Sequence, residues 1–307
     1  AANYNDHRSM LLYGKMLLFG DGIPVDRKKG AHFIKLSVDL GNDMSMLIMS
    51  FILGYKKVLK LTLIDNPNEI VSSEEEIFLL VLSIGLETLS NNNGFINKEI
   101  LARLRKILKN KGISGLYGFF ESIFDGTEIP ENEKKAIWYL KKSAEKKNIY
   151  SILLYNALIL SDMISGDKND AMNNIKMEAN KENYIALFVC GILLLDENSI
   201  FYNKDEGKKY LKISANKGNS IAMVLYGSFM IFDDEEYNSN KNDINEGIEY
   251  IKMATSYANN FAMFIYGMLL YDGEIIPIDK KRGIRYIEKA ANAGNKQAMI
   301  FYAMILF

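Results

Sequence analysis

Ile221-Ala-Met-Val-Leu-Tyr-Gly227 returns forty residues later as Phe261-Ala-Met-Phe-Ile-Tyr-Gly267, and it has already occurred as Ser9-Met-Leu-Leu-Tyr-Gly14. The same frame shows as Leu116-Tyr-Gly118 and, with substitutions, as Met49-Ser50, Ile84-Gly85, Tyr155-Asn156, Cys190-Gly191 and Tyr302-Ala303. The small residue thus stands at 14, 50, 85, 118, 156, 191, 227, 267 and 303, with intervals between 33 (85 to 118) and 40 (227 to 267). Self-similarity at a fixed period is the mark of a stacked array, in which each unit buries its apolar face only against its neighbours.

A second frame follows each small residue. It reads Lys29-Gly30-Ala-His-Phe33, Lys135-Ala136-Ile-Trp-Tyr139, Glu206-Gly207-Lys-Lys-Tyr210, Glu246-Gly247-Ile-Glu-Tyr250 and Arg282-Gly283-Ile-Arg-Tyr286. An aromatic three residues after the small position and Ala at seven or eight give one inward helical stripe, with Lys and Glu outward. Gly41-Asn42, Gly218-Asn219 and Gly294-Asn295 are stop signals at the end of that stripe. Every unit is therefore predicted to be two antiparallel helices, A and then B. Between them lie Gly20-Asp-Gly22-Ile-Pro24-Val-Asp26, Asp125-Gly126-Thr-Glu-Ile-Pro130 and Asp272-Gly273-Glu-Ile-Ile-Pro277. Gly ends helix A in a left-handed conformation, Pro blocks its continuation, and Asp26 and Asp279 stand ready to cap helix B. A phosphate-loop reading fails because the Lys-Ser/Thr pair of such loops is missing and the loop recurs. Gly in mid-helix costs about 1 kcal/mol against Ala. The repeated glycines are explained if Gly14, Gly227 and Gly267 face Gly30, Gly247 and Gly283 where two helices cross closely.

Composition sets the excluded classes. Of 307 residues, 49% are hydrophobic and 24% charged, with a formal net charge of −1. A dedicated nucleic-acid surface would need a basic excess. Two His and one Cys leave little for zinc sites, disulfide frameworks or nucleophile triads. Met46–Tyr55 and Ile77–Leu86 are apolar for about ten residues, whereas a membrane span needs roughly twenty. His7 falls at a turn and reads as solvated, His32 as a surface or half-buried structural residue, and Cys190 as a core thiol in the recurring Tyr position. Glu74-Glu75-Glu76 suits a helix first turn, and Asp233-Asp-Glu-Glu236 a solvated loop.

The combination of Leu-Tyr-Gly, Gly-x-Gly-Ile-Pro-x-Asp and Lys-Gly/Ala-x-x-Tyr-x-Lys-x-Ala-x-x-Gly-Asn resembles the Sel1-like repeat, a relative of the tetratricopeptide repeat. Trp138-Tyr139 falls where that family commonly carries Trp-Tyr. The likeness spans nearly the whole chain and weakens across 51–112, where Asn91-Asn-Asn-Gly94 replaces the Gly-x-Gly-Ile-Pro loop. It implies an all-α fold, a right-handed α-solenoid of about eight helix-pair repeats with a period near 36 residues, lacking catalysis and cofactors and presenting surfaces to proteins. Members of the family serve as adaptors in membrane ubiquitin-ligase complexes, as regulators of signalling and septation, and as arrays joined to protein kinases.

Residues 1–10 align with 290–299, the tail of a B helix, and Met304-Ile-Leu-Phe307 lies inside an A helix. The expectation is a single array over 1–307, excerpted from a longer one.

Function is sought on helix A. Two positions before the small residue stand Leu12, Ile48, Leu116, Leu154, Val189, Leu225, Ile265 and Phe301; one position after it stand Lys15, Phe51, Leu86, Phe119, Ile192, Ser228 and Met268. Both positions point away from helix B. Either neighbouring repeats bury them or they line an apolar groove. Residues that do not recur are the better partner-binding candidates: Lys15, Phe51, Phe119, Phe188, Ser228, Phe264 and Met268. The resulting expectation is a cytoplasmic, non-enzymatic scaffold or adaptor that holds other proteins or peptide segments on the inner wall, with no nucleic-acid partner and no direct membrane insertion. The alternative is a recognition region tethered to a catalytic domain outside this chain, such as a protein kinase.

Overall fold

The computed structural model describes residues 6–60, 126–130, 132–197, 199–232 and 241–306. Among them every regular element is a helix: α1 (His7–Phe19), α2 (Arg27–Asp39), α3 (Asp43–Lys60), α4 (Glu133–Glu145), α5 (Ile149–Leu160), α6 (Lys168–Asn180), α7 (Tyr184–Leu195), α8 (Lys204–Asn216), α9 (Ser220–Phe232), α10 (Lys241–Ser256), α11 (Asn260–Asp272), α12 (Lys280–Asn292) and α13 (Lys296–Leu306). Odd-numbered helices carry the small-residue frame and even-numbered ones the Lys/Glu-rich frame, so the A–B alternation read from the sequence is the architecture. The chain forms two compact units, Ala1–Ile175 and Lys176–Phe307. In the first, α1 packs on α2 and α3 on α4, while α2 also meets α3 and α4 meets α5. In the second, α7 packs on α8, α9 on α10 and α11 on α12, and each even helix also meets the next odd one.

The predicted stops and starts are in place. Gly20 (φ 75°) and Gly273 (φ 73°) end α1 and α11 in the left-handed region. Asp26 accepts a hydrogen bond from the Lys29 amide at 2.9 Å, and Asp279 one from the Arg282 amide at 3.0 Å. The asparagines do more than stop the even helices. Asn42, Asn148, Asn219, Asn259 and Asn295 each accept from the amide three residues on and so cap the following odd helix. The turn is three residues long, and its third, the Asn, bonds back to the preceding helix through its amide and caps the next through its side chain.

Around these caps lie buried polar relays. Ser45 Oγ donates to Ser37 Oγ at 2.7 Å, and Ser37 Oγ donates to the His7 carbonyl at 2.6 Å. Ser151, Ser143 and the Asp43 carbonyl repeat the pattern at 2.7 Å and 2.7 Å. Each group finds a partner, as burial demands. His7 belongs to this joint: its Nδ1 lies 2.9 Å from Asn42 Nδ2, so it is half-buried and bonded where the sequence suggested a solvated turn.

The glycine reading is also met. A Cβ on Gly227 would fall 2.7 Å from the Gly247 carbonyl oxygen, and one on Gly247 would fall 2.7 Å from that of Gly227. Gly14 with Gly30 and Gly267 with Gly283 repeat the contact. The B-helix glycine also makes room for the residue four past the A-helix glycine: the side chains of Leu18 beside Gly30, Leu195 beside Gly207 and Ile231 beside Gly247, and the backbone of Tyr271 beside Gly283.

One pairing departs from the period. Counting in 36s makes the helix around Gly118 the partner of α4, but Gly118 lies outside the described residues, and α4 packs on α3. The backbone bond that closes a pair runs from the even-helix cap to a carbonyl of the odd helix: Asp26 to Leu17, Asn203 to Leu194, Asp279 to Leu270. In this pair it runs from Asn132 to Leu53 at 2.9 Å. Steric complementarity is kept by exchange. Ala136 stands where α2, α8, α10 and α12 have Gly, and Gly54 stands where the odd helices have Leu, Ile or Tyr, with the Ala136 Cβ 2.8 Å from the place of a Gly54 Cβ.

Candidate functional site: the wall of odd-numbered helices

Because the even helices cover one side of each odd helix, the residues two before and one after the small position form the other side. Their cover varies along the chain. In the first unit Leu12 is exposed (44%), Ile48 and Leu154 are buried, and Phe51 is half-buried. Lys15 is 4% exposed, and burial lowers its ammonium to about 8. Desolvation disfavours the charged form. Phe51 rims a cavity of about 40 Å³ between α3, α4 and α5, shared with Ser50, Gly54, Leu154 and Met163.

In the second unit the wall begins closed and opens. Phe188, Val189 and Cys190 on α7 are all buried. The Cys190 thiol is pushed up to about 12 by burial, so it is the inert core thiol that its place in the frame suggested. Ile192, Leu225, Ser228, Phe264, Ile265 and Met268 are half-buried. Phe264 meets Phe301 of α13 edge-on at 6.5 Å between centroids, and Tyr271 meets the same ring at 5.5 Å. Met268 packs in the same cluster. Adjacent odd helices therefore cover one another in part and leave an apolar remainder facing solvent.

That remainder includes residues the sequence reading passed over. Ile221 (42% exposed) and Phe261 (45%) open α9 and α11, one turn before Leu225 and Ile265. Extending the stripe back by four residues would have found them, since i and i+4 share a helix face. Ile300, Met304 and Leu306 on α13 are exposed as well. Of the sequence candidates, Phe51, Ser228, Phe264 and Met268 keep accessible surface, Lys15 and Phe188 lie inside, and Phe119 is outside the described residues. His32 is exposed and rests edge-on against Phe33 at 5.9 Å.

No group of three His, Cys, Asp or Glu is placed to hold a metal ion among the described residues, and no helix there is long and apolar enough to cross a membrane. No curated protein sequence matches the chain. The Sel1 repeat family model matches residues 7–42, 116–148, 185–219 and 260–295. Its second match begins at residue 116, outside the described residues, whereas in the structure α4 packs on α3. Among solved structures, a Sel1 repeat protein from Oxalobacter formigenes superposes with a TM-score of 0.61 at 14% identity, over 94% of this chain and 89% of that one. A protective antigen of uropathogenic Escherichia coli with the same repeat fold gives 0.49 at 16% identity, over 98% of this chain and 64% of that one. The fold is thus that of a Sel1-repeat α-solenoid, and the four matched segments of this chain are Sel1 repeats.

Proposed function

We propose that this chain is a non-enzymatic protein-interaction scaffold whose partner segment lies along the open part of the odd-helix wall, across α9, α11 and α13. Sel1 repeat proteins in general are protein-interaction scaffolds. The observation that carries the reading here is the apolar stripe of the exposed Ile221 and Phe261 with the half-buried Leu225 and Ile265 one turn on, flanked by Ser228, Phe264 and Met268. Residues that recur at every joint are committed to packing, whereas Ile221 and Phe261 face solvent. Phe51 with its small cavity is a second, lesser contact point in the first unit.

Each aliphatic or aromatic side chain covered by a partner contributes roughly 1.5–3 kcal/mol before association costs. Ile221→Ser with Phe261→Ser therefore removes enough to weaken binding by two orders of magnitude or more, and both side chains are exposed enough for the fold to persist. The test is a pull-down with site-specific photo-crosslinking from residue 265, comparing wild type with the double variant. Partners retained in full by a double variant of unchanged circular dichroism would remove the wall from the mechanism.

A further inference from the structure

A second contact emerges from comparing successive joints between even helices. Five residues past the small position of α6 stands Lys176, and its Nζ lies 2.8 Å from Glu206, the residue before Gly207 of α8. The next joint repeats this: Lys212 Nζ lies 2.7 Å from Glu246, the residue before Gly247 of α10. There the carboxylate is also approached by the Tyr226 hydroxyl at 3.5 Å, and Lys212 sits over the Tyr226 ring at 5.5 Å from its centroid. Tyr226 meets Tyr250 edge-on at 5.0 Å.

At the following joint the aromatic frame is reproduced. Tyr266 meets Tyr286 edge-on at 5.1 Å and 80°, against 84° for the earlier pair. Lys252 takes the place of Lys212, close enough to feel both the Tyr266 hydroxyl and the opposing residue. That opposing residue is Arg282, a cation in the place of the carboxylate. What neutralises Lys252 and Arg282 locally is weak. Lys252 bonds Glu249 of its own helix at 2.6 Å, with the glutamate side chain 64% exposed, and Arg282 Nε stands 4.0 Å from Asp279, whose other oxygen caps α12. Exposed pairs of this kind are readily exchanged for another anion.

We propose that the Lys252–Arg282–Tyr266 notch binds a carboxylate side chain of an acidic partner peptide, which supplies the anion that Glu206 and Glu246 supply internally at the two preceding joints. The notch lies on the even-helix side, and its occupancy does not depend on the apolar wall.

The test uses fluorescence anisotropy of a fluorescein-labelled octaglutamate peptide against the whole chain at low salt, with octaglutamine as the neutral comparison. Octaglutamate binds and octaglutamine does not, and Lys252→Gln with Arg282→Gln weakens binding at least tenfold. Arg282→Glu rebuilds the internal ladder and gives the same loss with no fall in melting temperature. Lys208→Gln with Lys209→Gln on α8 changes affinity less than twofold. An equal loss in the α8 control, an unchanged double variant, or displacement by inorganic phosphate at peptide concentration each overturns the proposal. Ile221→Ser with Phe261→Ser keeps octaglutamate binding, so failure of the notch and failure of the apolar wall are read separately.

Discussion

Gly54→Cys with Ala136→Cys tests the pairing of α3 with α4 directly. The two positions are about 80 residues apart in sequence, yet a Cβ on Gly54 falls 2.8 Å from the Ala136 Cβ. Disulfides prefer Cβ atoms roughly 3.5–4.5 Å apart, so the helices need to part by about 1 Å. Closing a loop of about 80 residues removes about 4.5 kcal/mol of denatured-chain freedom in the chain-entropy treatment, and the strain of parting the helices lowers this to about 2–4 kcal/mol. Native Cys190 does not compete: it is fully buried, and its thiol is pushed up to about 12. The assay is oxidation of the folded protein at pH 8, then mobility on a non-reducing gel and thermal melting with and without reductant. A parallel variant, Ser122→Cys with Ala136→Cys, represents the alternative that both the 36-residue period and the family match favour. The Gly54 pair closes and raises the melting temperature, while the Ser122 pair stays reduced. Fast closure of the Ser122 pair, with the Gly54 pair inert, would refute the assignment of α4 to α3.

The joints and buried groups give further expectations. Gly227→Ala puts a methyl 2.7 Å from the Gly247 carbonyl and costs about 1–3 kcal/mol in urea unfolding, most of it steric. Gly22→Ala, at φ +70° with nothing within 4 Å, costs only its backbone strain, about 1 kcal/mol. Asn148→Ala removes the α5 cap and the 2.9 Å bond to Asp43 from a buried site and costs about 1–2 kcal/mol by the same measurement. For Lys15 the folded ammonium is lowered to about 8 against an ordinary value near 10.5, so between these values the unfolded chain holds more protons and stability rises with pH. Lys15→Met therefore gains most over wild type below pH 8, by up to about 3 kcal/mol, and the gain shrinks toward pH 10.5; a difference between the two proteins that is flat across pH 7–10 would contradict it.

What could be read from the residues follows what each kind of residue must satisfy locally. Helix ends were legible because Gly20, Gly273, Asp26 and Asp279 answer a backbone need within four residues of themselves. The Gly–Gly crossings were legible because a mid-helix glycine has few reasons to recur. His7 was not, since its half-burial depends on Asn42 and Ser37, which lie about one repeat away. The candidate wall was legible as a face, through its spacing, but not in its cover. Phe188 and Phe264 both stand three before the small residue, and only packing of neighbouring helices makes one 5% exposed and the other half-buried. The Lys252–Arg282 notch was invisible until the bridges at Glu206 and Glu246 showed what the position normally holds.

The exchange of partners at α4 shows why a period alone does not fix the pairing of helices. Leu17 to Asp26, Leu194 to Asn203 and Leu270 to Asp279 each span nine residues, whereas Leu53 to Asn132 spans 79. The excess of 70 is close to two periods, so an insertion of this length leaves every later small residue in register and cannot be seen by counting. Side-chain volume does not separate the alternatives either. Ala136 needs a small residue four positions past the facing small residue, and both Gly54, four past Ser50, and Ser122, four past Gly118, provide one. What selects α3 is cooperation among contacts about 80 to 105 residues apart: Asn132 to Leu53, Ser143 to the Asp43 carbonyl at 2.7 Å and Asn148 to the Asp43 carboxylate at 2.9 Å. Closing so long a loop costs only about 2 kcal/mol more than closing one of nine residues, because the entropy grows with the logarithm of length. Three hydrogen bonds, two of them part-buried, and the Gly54–Ala136 contact suffice to offset that difference. Removing the Asp43 carboxylate by Asp43→Ala, with the Ser143 bond to the backbone left intact, therefore weakens the α3–α4 joint without abolishing it, read as slower closure of the Gly54–Ala136 cysteine pair.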